Sequence, residues 1–222
     1  MLEKASEQSA GGNGRGHVAA SEGELCGAEG ADRREHPDDK PLTGRLMQMI
    51  LLEVPLYPQE TKDTCADACA KMCIGYYLSK GVSAGKSLDV PSEQTLVAEY
   101  GQECIAPIVA GLRDYCGICF SYCDKASFSD FRETIENSLR NGHPVVLDVK
   151  AGTASLLGYS TFGHYLVVAG VEDSENALTL VINDPFHKDG FGIGQTLRLN
   201  LNDVYDAVKY MVCEHSGRET GI

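Results

Sequence analysis

The stretch "PQETKDTCADACAKMCIGYYL" carries three cysteines four residues apart, Cys65, Cys69 and Cys73, and Gln59 lies six residues before the first of them. Cys65 follows a polar loop at the predicted start of a helix, where the positive end of the helix dipole favours a thiolate. Cys69 and Cys73 lie one and two turns further on, on the small apolar face that the helix is expected to bury. Buried thiols remote from that positive end stay protonated, so the spacing singles out Cys65 as the candidate nucleophile, against the alternative that it is a small core residue.

A nucleophilic thiol needs a base, and the base needs a group that orients it. His164 begins the apolar run "HYLVVAGV", and the next predicted strand ends in "VINDPF" with Asn183 and Asp184. Adjacent antiparallel strands joined by a short turn bring the start of the first strand beside the end of the second. The pairing therefore predicts that His164 and Asp184 are neighbours, with Asn183 as an alternative orienting residue.

Acyl transfer to a thiol generates an oxyanion, which requires hydrogen-bond donors that are already in place. The backbone N–H of Cys65, at the start of its helix, is one such donor. The side-chain amide of Gln59, from the loop just before the helix, is a candidate for the second.

In these residues the sequence resembles the papain-like cysteine peptidases, most closely the branch of the bacteriocin-processing (double-glycine leader) peptidases. That branch has a "VPYxxQ" segment, a Cys-Gly-Pro-Ala helix start six residues after the Gln, a "GHYVVVxG" strand and a strand ending in "DP". Here these segments read "VPLYPQ", "DTCADACAKM", "GHYLVVAGV" and "INDPF". The order and the spacings match, and the resemblance in layout covers about residues 52–212.

The resemblance implies an α+β papain-like fold in which the helix that carries the cysteine packs on an antiparallel sheet that carries His and Asp. It further implies a cysteine peptidase that hydrolyses peptide or amide bonds of a protein or peptide substrate with a Cys65–His164–Asp184 triad and Gln59 as oxyanion donor. No cofactor or metal is required for this chemistry. A deamidase or acyltransferase that uses the same residues is an alternative.

The chain departs from this pattern directly after the nucleophile, where Ala66 and Asp67 replace the usual Gly-Pro. A carboxylate in the first helical turn stabilises the helix but opposes a neighbouring thiolate by like-charge repulsion. Asp67 therefore motivates a further alternative, a non-catalytic binding domain on the same fold.

The elements that must position these residues lie in one predicted domain, residues 46–222. Residues 1–45 are rich in Gly, Ala, Ser and charge and contain no aromatic residue, which predicts a disordered leader. Helices are predicted for "DTCADACAKMCIGYYLSKG", "PSEQTLVAEYG", "CIAPIVAGLRDYCG" and "SFSDFRETIENSLRNG", the first of them capped by Asp63 or Thr64. Strands are predicted for "MILLEVPLYPQ", "ICFSYCD", "PVVLDVK", "HYLVVAGVED", "LTLVIND", "QTLRLNL" and "KYMVCE", with a hairpin loop at "DGFGIG".

Two other groups of residues compete for a role in the site. His143, just after a helix stop, is an alternative base, although a surface or helix-end role suits its position better. Cys116 and Cys119 have the spacing of half a zinc site, but no second pair at matching spacing completes it. Because Cys119 and Cys123 would point to the same side of a strand, core filling is the favoured interpretation.

Composition excludes several functions. The net charge of −13 argues against a phosphate-binding surface for nucleic acid. No apolar run is long enough to span a membrane, and the first residues do not form a secretory signal. The nine cysteines are then best interpreted as reduced thiols of a cytoplasmic protein, or of one exported without a classical signal peptide.

Overall fold

A computed structural model of the chain describes residues 49–101, 105–123, 125–159, 163–174, 177–188 and 191–215. The predicted disordered leader, residues 1–45, and the first residues of the predicted domain lie outside this part of the chain.

Helices dominate the first half of the described chain. Within the described residues they are α1 (Cys65–Ser79), α2 (Glu93–Tyr100), α3 (Ala106–Cys116), α4 (Phe128–Arg140), α5 (Ala154–Leu157) and α6 (Leu201–Ala207). Local sequence sets their ends: the Ser92 side chain accepts a hydrogen bond from Thr95 N–H at the start of α2, and Gly117 ends α3 with a positive φ of 71°.

Strands dominate the second half and form an antiparallel sheet. They are β1 (Met49–Leu51), β2 (Phe120–Cys123), β3 (Val145–Val149), β4 (His164–Ser174), β5 (Ala177–Asp184), β6 (His187–Lys188), β7 (Phe191–Gly192), β8 (Gln195–Asn200) and β9 (Val208–Glu214). The order across the main sheet is β2-β9-β3-β4-β5-β8, and β1 pairs with the second half of β4. The short strands β6 and β7 form a separate hairpin.

The sheet is covered on both faces. Alternate residues of β4 belong to different cores: Tyr165 and Val167 pack with α1, α2 and α3, whereas Leu166 and Val168 pack with α4 and α6. The helix that begins with Cys65 therefore lies over the face to which Tyr165 belongs, and this layering fixes the side from which the cysteine meets the sheet.

The predicted α+β class is confirmed, as are the four long helices and the antiparallel strands. Some details were wrong. The first strand ends at Leu51, well before Pro55. The Thr64 side chain does not cap α1, because its hydroxyl donates to the carbonyl of Thr61 instead. Cys119 precedes β2 and is exposed, so it does not fill the core.

The helices α5 and α6 were not predicted from the sequence. The first is a single turn of four residues, which is too short for a periodic pattern. The second begins directly after β8, where the Asn200 side chain accepts a hydrogen bond from the N–H of Asn202. Its apolar residues Leu201 and Val204 follow the β8 pattern without a break, so periodicity alone does not separate the helix from the strand.

Candidate active site

Cys65 is the first residue of α1 and is half-buried. The first N–H groups of an α-helix have no partner within the helix, so they point toward the space in front of it together with the positive end of the dipole. The thiol thus lies at the N-terminal end of α1, as expected from the sequence, and it lines a cleft.

His164 and Asp184 are in direct contact, as the pairing of β4 with β5 predicted. Nε2 of His164 lies 2.7 Å from Oδ1 of Asp184, and the exposed fractions of the two residues are 5% and 0%. Cys65 lines the same cleft as His164 and is close enough to influence the pKa of its imidazole. Because Asp184 occupies Nε2, the remaining ring nitrogen, Nδ1, is the atom left for the thiol.

These contacts govern the charge of the imidazole. Burial alone disfavours the imidazolium and lowers the pKa of His164. The hydrogen bonds and negative charges of Asp184 and Cys65 outweigh burial and raise the pKa of His164 to about 9. The site therefore favours a protonated imidazole next to the sulfur, which is the state that a thiolate–imidazolium pair requires.

The Asp184 carboxylate has three further donors that the sequence did not reveal. The Tyr159 hydroxyl donates to both of its oxygens, at 3.1 and 3.0 Å, the N–H of Phe186 donates at 3.0 Å, and Nε2 of Gln195 donates at 2.9 Å. Tyr159 also packs edge-on against the His164 ring, with 5.9 Å between centroids. No local motif marks Tyr159, because its segment reaches Asp184 only through the packed fold. The pairing of β5 with β8 could have indicated Gln195, since it lies directly opposite Asp184 in that register.

Gln59 lies in the loop before α1 and is 3% exposed. Its Nε2 donates to the Thr61 carbonyl at 2.7 Å, and its backbone N–H donates to the carbonyl of Pro185 at 2.7 Å. Oε1 of Gln59 is buried and has no hydrogen-bond partner among the described residues. The carbonyl of Thr61 thus fixes the orientation of the amide, and within the described part of the chain no partner occupies its second N–H.

Asp67, the departure from the expected pattern, is buried in the first turn of α1 next to Glu93 of α2. Burial, followed by the negative charge of Glu93, raises the pKa of Asp67 to about 6. Glu93 also holds the loop before the helix, because its Oε2 accepts the N–H of Glu60 at 2.8 Å. Asp67 is thus part of a buried acidic pair behind the loop.

The competing candidates occupy other places. His143 contacts the hydroxyl of Tyr77 at 2.8 Å, three turns along α1 and about 18 Å from the start of that helix. Asn183 is bonded elsewhere, since its Nδ2 donates to the Val54 carbonyl at 2.9 Å and its Oδ1 accepts from the hydroxyl of Thr196 at 3.0 Å. Neither residue is therefore a candidate partner of Cys65 in the site.

The other thiols of α1 are fully buried, and burial raises the pKa of both Cys69 and Cys73. Among the residues that the structure describes, no group of three or more His, Cys, Asp or Glu side chains is arranged to hold a metal ion. The side chain of His187 lies outside the described set.

A cleft of about 860 Å³ opens over the site, between the start of α1 and the sheet. Gln59, Cys65 and His164, three of the residues singled out by the sequence, line it together with Tyr159 and so face a common space. The cleft is large enough for several residues of an extended peptide.

The sequence profile of the family described as "Peptidase_C39 like family" matches residues 51–212. The chain belongs to the Peptidase_C39-like family. The match covers the sheet and the helices that carry the site, so the fold is the α+β papain-like peptidase fold. The chain has no match among curated proteins. In the described part of this C39-like protein, no helix has the length and apolar character that crossing a membrane requires.

Membership of the C39-like family supports a cysteine peptidase-type hydrolase in general terms and a protein or peptide substrate.

Proposed function

We propose that this protein is a cysteine peptidase that cleaves peptide bonds with Cys65 as nucleophile, His164 as base and Asp184 as orienting residue. The observation that carries the proposal is that the thiol at the start of α1 shares one cleft with an imidazole bound to a carboxylate that is 0% exposed. A nucleophile, a base and an orienting group brought together in this order are the signature of an activated nucleophile.

In the first half of the reaction, Nδ1 of His164 takes the proton from Cys65. The thiolate attacks the carbonyl carbon of the substrate, and the charge develops on the carbonyl oxygen. The free N–H of the Gln59 amide and the backbone N–H of Cys65 stabilise that oxyanion. His164 then donates its proton to the leaving amine, the C–N bond breaks, and a thioester to Cys65 remains.

In the second half, His164 removes a proton from a water molecule, which attacks the thioester carbonyl. The C–S bond breaks, the acid product leaves, and the sulfur regains the proton from His164. Asp184 holds the ring through Nε2 throughout and stabilises its charged form. Tyr159 and Gln195, which donate to Asp184, keep that carboxylate in position.

Alkylation of the thiols tests the nucleophile. At pH 6 an ordinary thiol is protonated and unreactive, whereas a thiolate paired with imidazolium reacts. We expect iodoacetamide to modify Cys65 much faster than Cys119, which is exposed and lies outside the cleft lining. Peptide mapping by mass spectrometry at increasing times gives the two rates. Equal rates at both cysteines would contradict the proposal and favour the binding domain.

Incubation with a mixture of proteins tests the reaction. New N-termini that are absent with the Cys65→Ala variant establish a peptidase. Conversion of side-chain amides to acids without chain cleavage establishes a deamidase, the alternative that the same residues permit. The Cys119→Ala variant is the matched control, because it removes an exposed thiol and should retain turnover. Loss of the base in His164→Gln should slow the reaction by about 10²–10⁴-fold.

A further inference from the structure

A row of aromatic side chains around one carboxylate crosses the sheet beside the proposed nucleophile. In the strand registers Asp148 of β3 lies opposite Tyr165 of β4 on one side and opposite Tyr210 of β9 on the other. Tyr122 of β2 extends the row, because its ring contacts that of Tyr210 edge-on at 5.4 Å. All four residues line the cleft that contains Cys65.

The row begins at the proposed catalytic residues and becomes more exposed away from them. Tyr165 follows His164 directly and is 5% exposed, whereas Tyr210 and Tyr122 are 37% and 48% exposed. Neighbouring strands are about 4.8 Å apart and an extended peptide advances about 3.3 Å per residue. A substrate side chain one or two residues from the scissile bond would therefore reach Asp148.

Asp148 carries a charge that its surroundings compensate poorly. It is half-buried in mid-strand, where aspartate is disfavoured. The Tyr165 hydroxyl donates to its Oδ2 at a long distance of 3.5 Å. Burial raises the pKa of Asp148, with Lys209 and the Tyr165 hydroxyl acting in the opposite direction. A cation bound at this carboxylate would recover free energy that its desolvation costs.

Neither Lys209 nor Lys150, the two lysines next to the row, already serves as the cation bound at Asp148. Lys209 is exposed, and its Nζ lies 5.1 Å from the centroid of the Tyr210 ring, so it is a weak partner that a bound ligand can displace. Lys150, also at the cleft, donates from Nζ to the backbone carbonyl of Asp206 at 2.9 Å, which directs its charge away.

We propose that Asp148 and the three tyrosines form a subsite for a basic side chain, arginine or lysine, of the peptide substrate. The proposal rests on the proposed peptidase function, since it assigns the substrate class of the same cleft. A guanidinium stacks on tyrosine rings and pairs with a carboxylate through two parallel N–H groups, and the row offers both kinds of partner.

Binding to the Cys65→Ala variant tests the subsite without turnover. The probes are short neutral peptides with one arginine, or its neutral isostere citrulline, at each position in turn, and fluorescence anisotropy gives the dissociation constants. We expect at least one position where arginine binds about 10-fold more tightly than citrulline, and Asp148→Asn in the same background to abolish the difference.

Matched variants separate the subsite from the general charge of the cleft. Asp63→Asn removes another carboxylate of the cleft lining and should leave the arginine preference unchanged. Lys209→Met removes the competing cation and should increase the preference. Tyr210→Leu removes an aromatic face and should reduce it about three-fold, a test that remains if Asp148→Asn does not fold.

Each possible outcome either supports or overturns the subsite. Equal binding of arginine and citrulline peptides at every position, or an equal loss with Asp63→Asn, overturns the subsite. Selective arginine binding that depends on Asp148 supports it even if the wild-type protein cleaves none of these peptides. Failure of the peptidase function is seen separately, as the absence of new N-termini in the protein mixture, so the two failures are distinguishable.

Discussion

At the scale of single residues, the position of the Asp184 carboxylate depends on neutral hydrogen-bond donors as well as on His164. Tyr159 bonds both of its oxygens and packs against the imidazole. A hydroxyl that holds the orienting carboxylate influences catalysis only through the position and charge of the histidine. Tyr159 is therefore a positioning residue, and its removal should alter the titration of His164.

We expect Tyr159→Phe to reduce kcat by several-fold with little change in KM, because Asp184 loses one donor and gains freedom to move. The negative charge of Asp184, less shared with the hydroxyl, then acts more strongly on His164, so the alkaline limb of the rate profile should move to higher pH. Rates measured from pH 6 to 10 check both effects. Tyr205→Phe, outside the cleft lining, is the control. An unchanged pH profile would contradict the positioning role.

Asp67 makes stability depend on pH, and its sign follows from its raised pKa. The pKa of about 6 in the folded chain exceeds the ordinary value of 3.8, so the folded state binds the proton more tightly than the unfolded chain. The free energy of unfolding therefore falls as pH rises from about 4 to about 6, by about 3 kcal/mol at most, and stays lower above that range.

Asp67→Asn should remove this dependence. The variant should therefore lose less free energy of unfolding than wild type between pH 4 and pH 7.5. Urea denaturation gives the free energy of unfolding of both proteins at both pH values. Subtracting the change of the variant from the change of wild type cancels the contributions of all other carboxyl groups. The same change with pH in wild type and variant would show that Asp67 is not the group responsible.

At the scale of elements, the β6–β7 hairpin supports the loop that carries Gln59. A Cβ added at Gly192 would lie 3.0 Å from Pro58 Cβ and closer still to the backbone carbonyl of Gln59. The backbone N–H of Gln59 is also tied to the carbonyl of Pro185, just before the hairpin. The absence of a side chain at Gly192 is thus a condition for the position of the proposed oxyanion donor.

We expect Gly192→Ala to displace the Gln59 loop and to reduce kcat by about 10-fold or more, because oxyanion donors act only at the correct distance. The alkylation rate of Cys65 should change much less, since that reaction develops no oxyanion. The control is Ile193→Ala, a change at an exposed side chain of the same segment. Equal losses in alkylation and turnover would mean that the substitution disturbs α1 instead.

Elements also explain how much of the site the sequence could predict. Cys65 could be identified from a helix start, and the neighbouring positions of His164 and Asp184 from one strand pairing, and both of these signals are local. Glu93 and Tyr159 come from segments that meet the site only after the layers pack, and no spacing in the chain records those contacts. Gln195 differs, because it lies directly opposite Asp184 in the pairing of β5 with β8. The strand order was equally hidden, because β9 lies between β2 and β3 although it comes last in the chain.

At the scale of the whole molecule, the site lies where the helical layer ends on the sheet. The core between α1 and the sheet holds Cys69, Cys73 and Val167, all fully buried, while the first residue of the helix reaches the cleft. A close-packed core of this kind fixes the distance between thiol and imidazole, because neither layer can slide without opening voids. The reactive pair is therefore a property of the packed layers.

The environment of His164 between the layers should make the free energy of unfolding depend on pH. The pKa of His164 is raised from 6.5 to about 9 in the folded state. The protonated imidazole thus stabilises the fold fully below pH 6.5, and this stabilisation is lost as pH rises through about 9. Over that range the contribution amounts to about 3 kcal/mol. The net charge of −13 adds self-repulsion in the same direction as further groups lose protons.

His164→Gln isolates the contribution of the imidazole, because glutamine keeps an N–H donor for Asp184 but does not titrate. We expect the wild type to be more stable than the variant at pH 6 and to lose most of that advantage by pH 9.5, since only the wild type releases a proton there. Urea midpoints at pH 6, 8 and 9.5 measure it. A difference that stays constant with pH would mean that folding does not raise the pKa of His164, and the thiolate–imidazolium pair would then lack its cation at neutral pH.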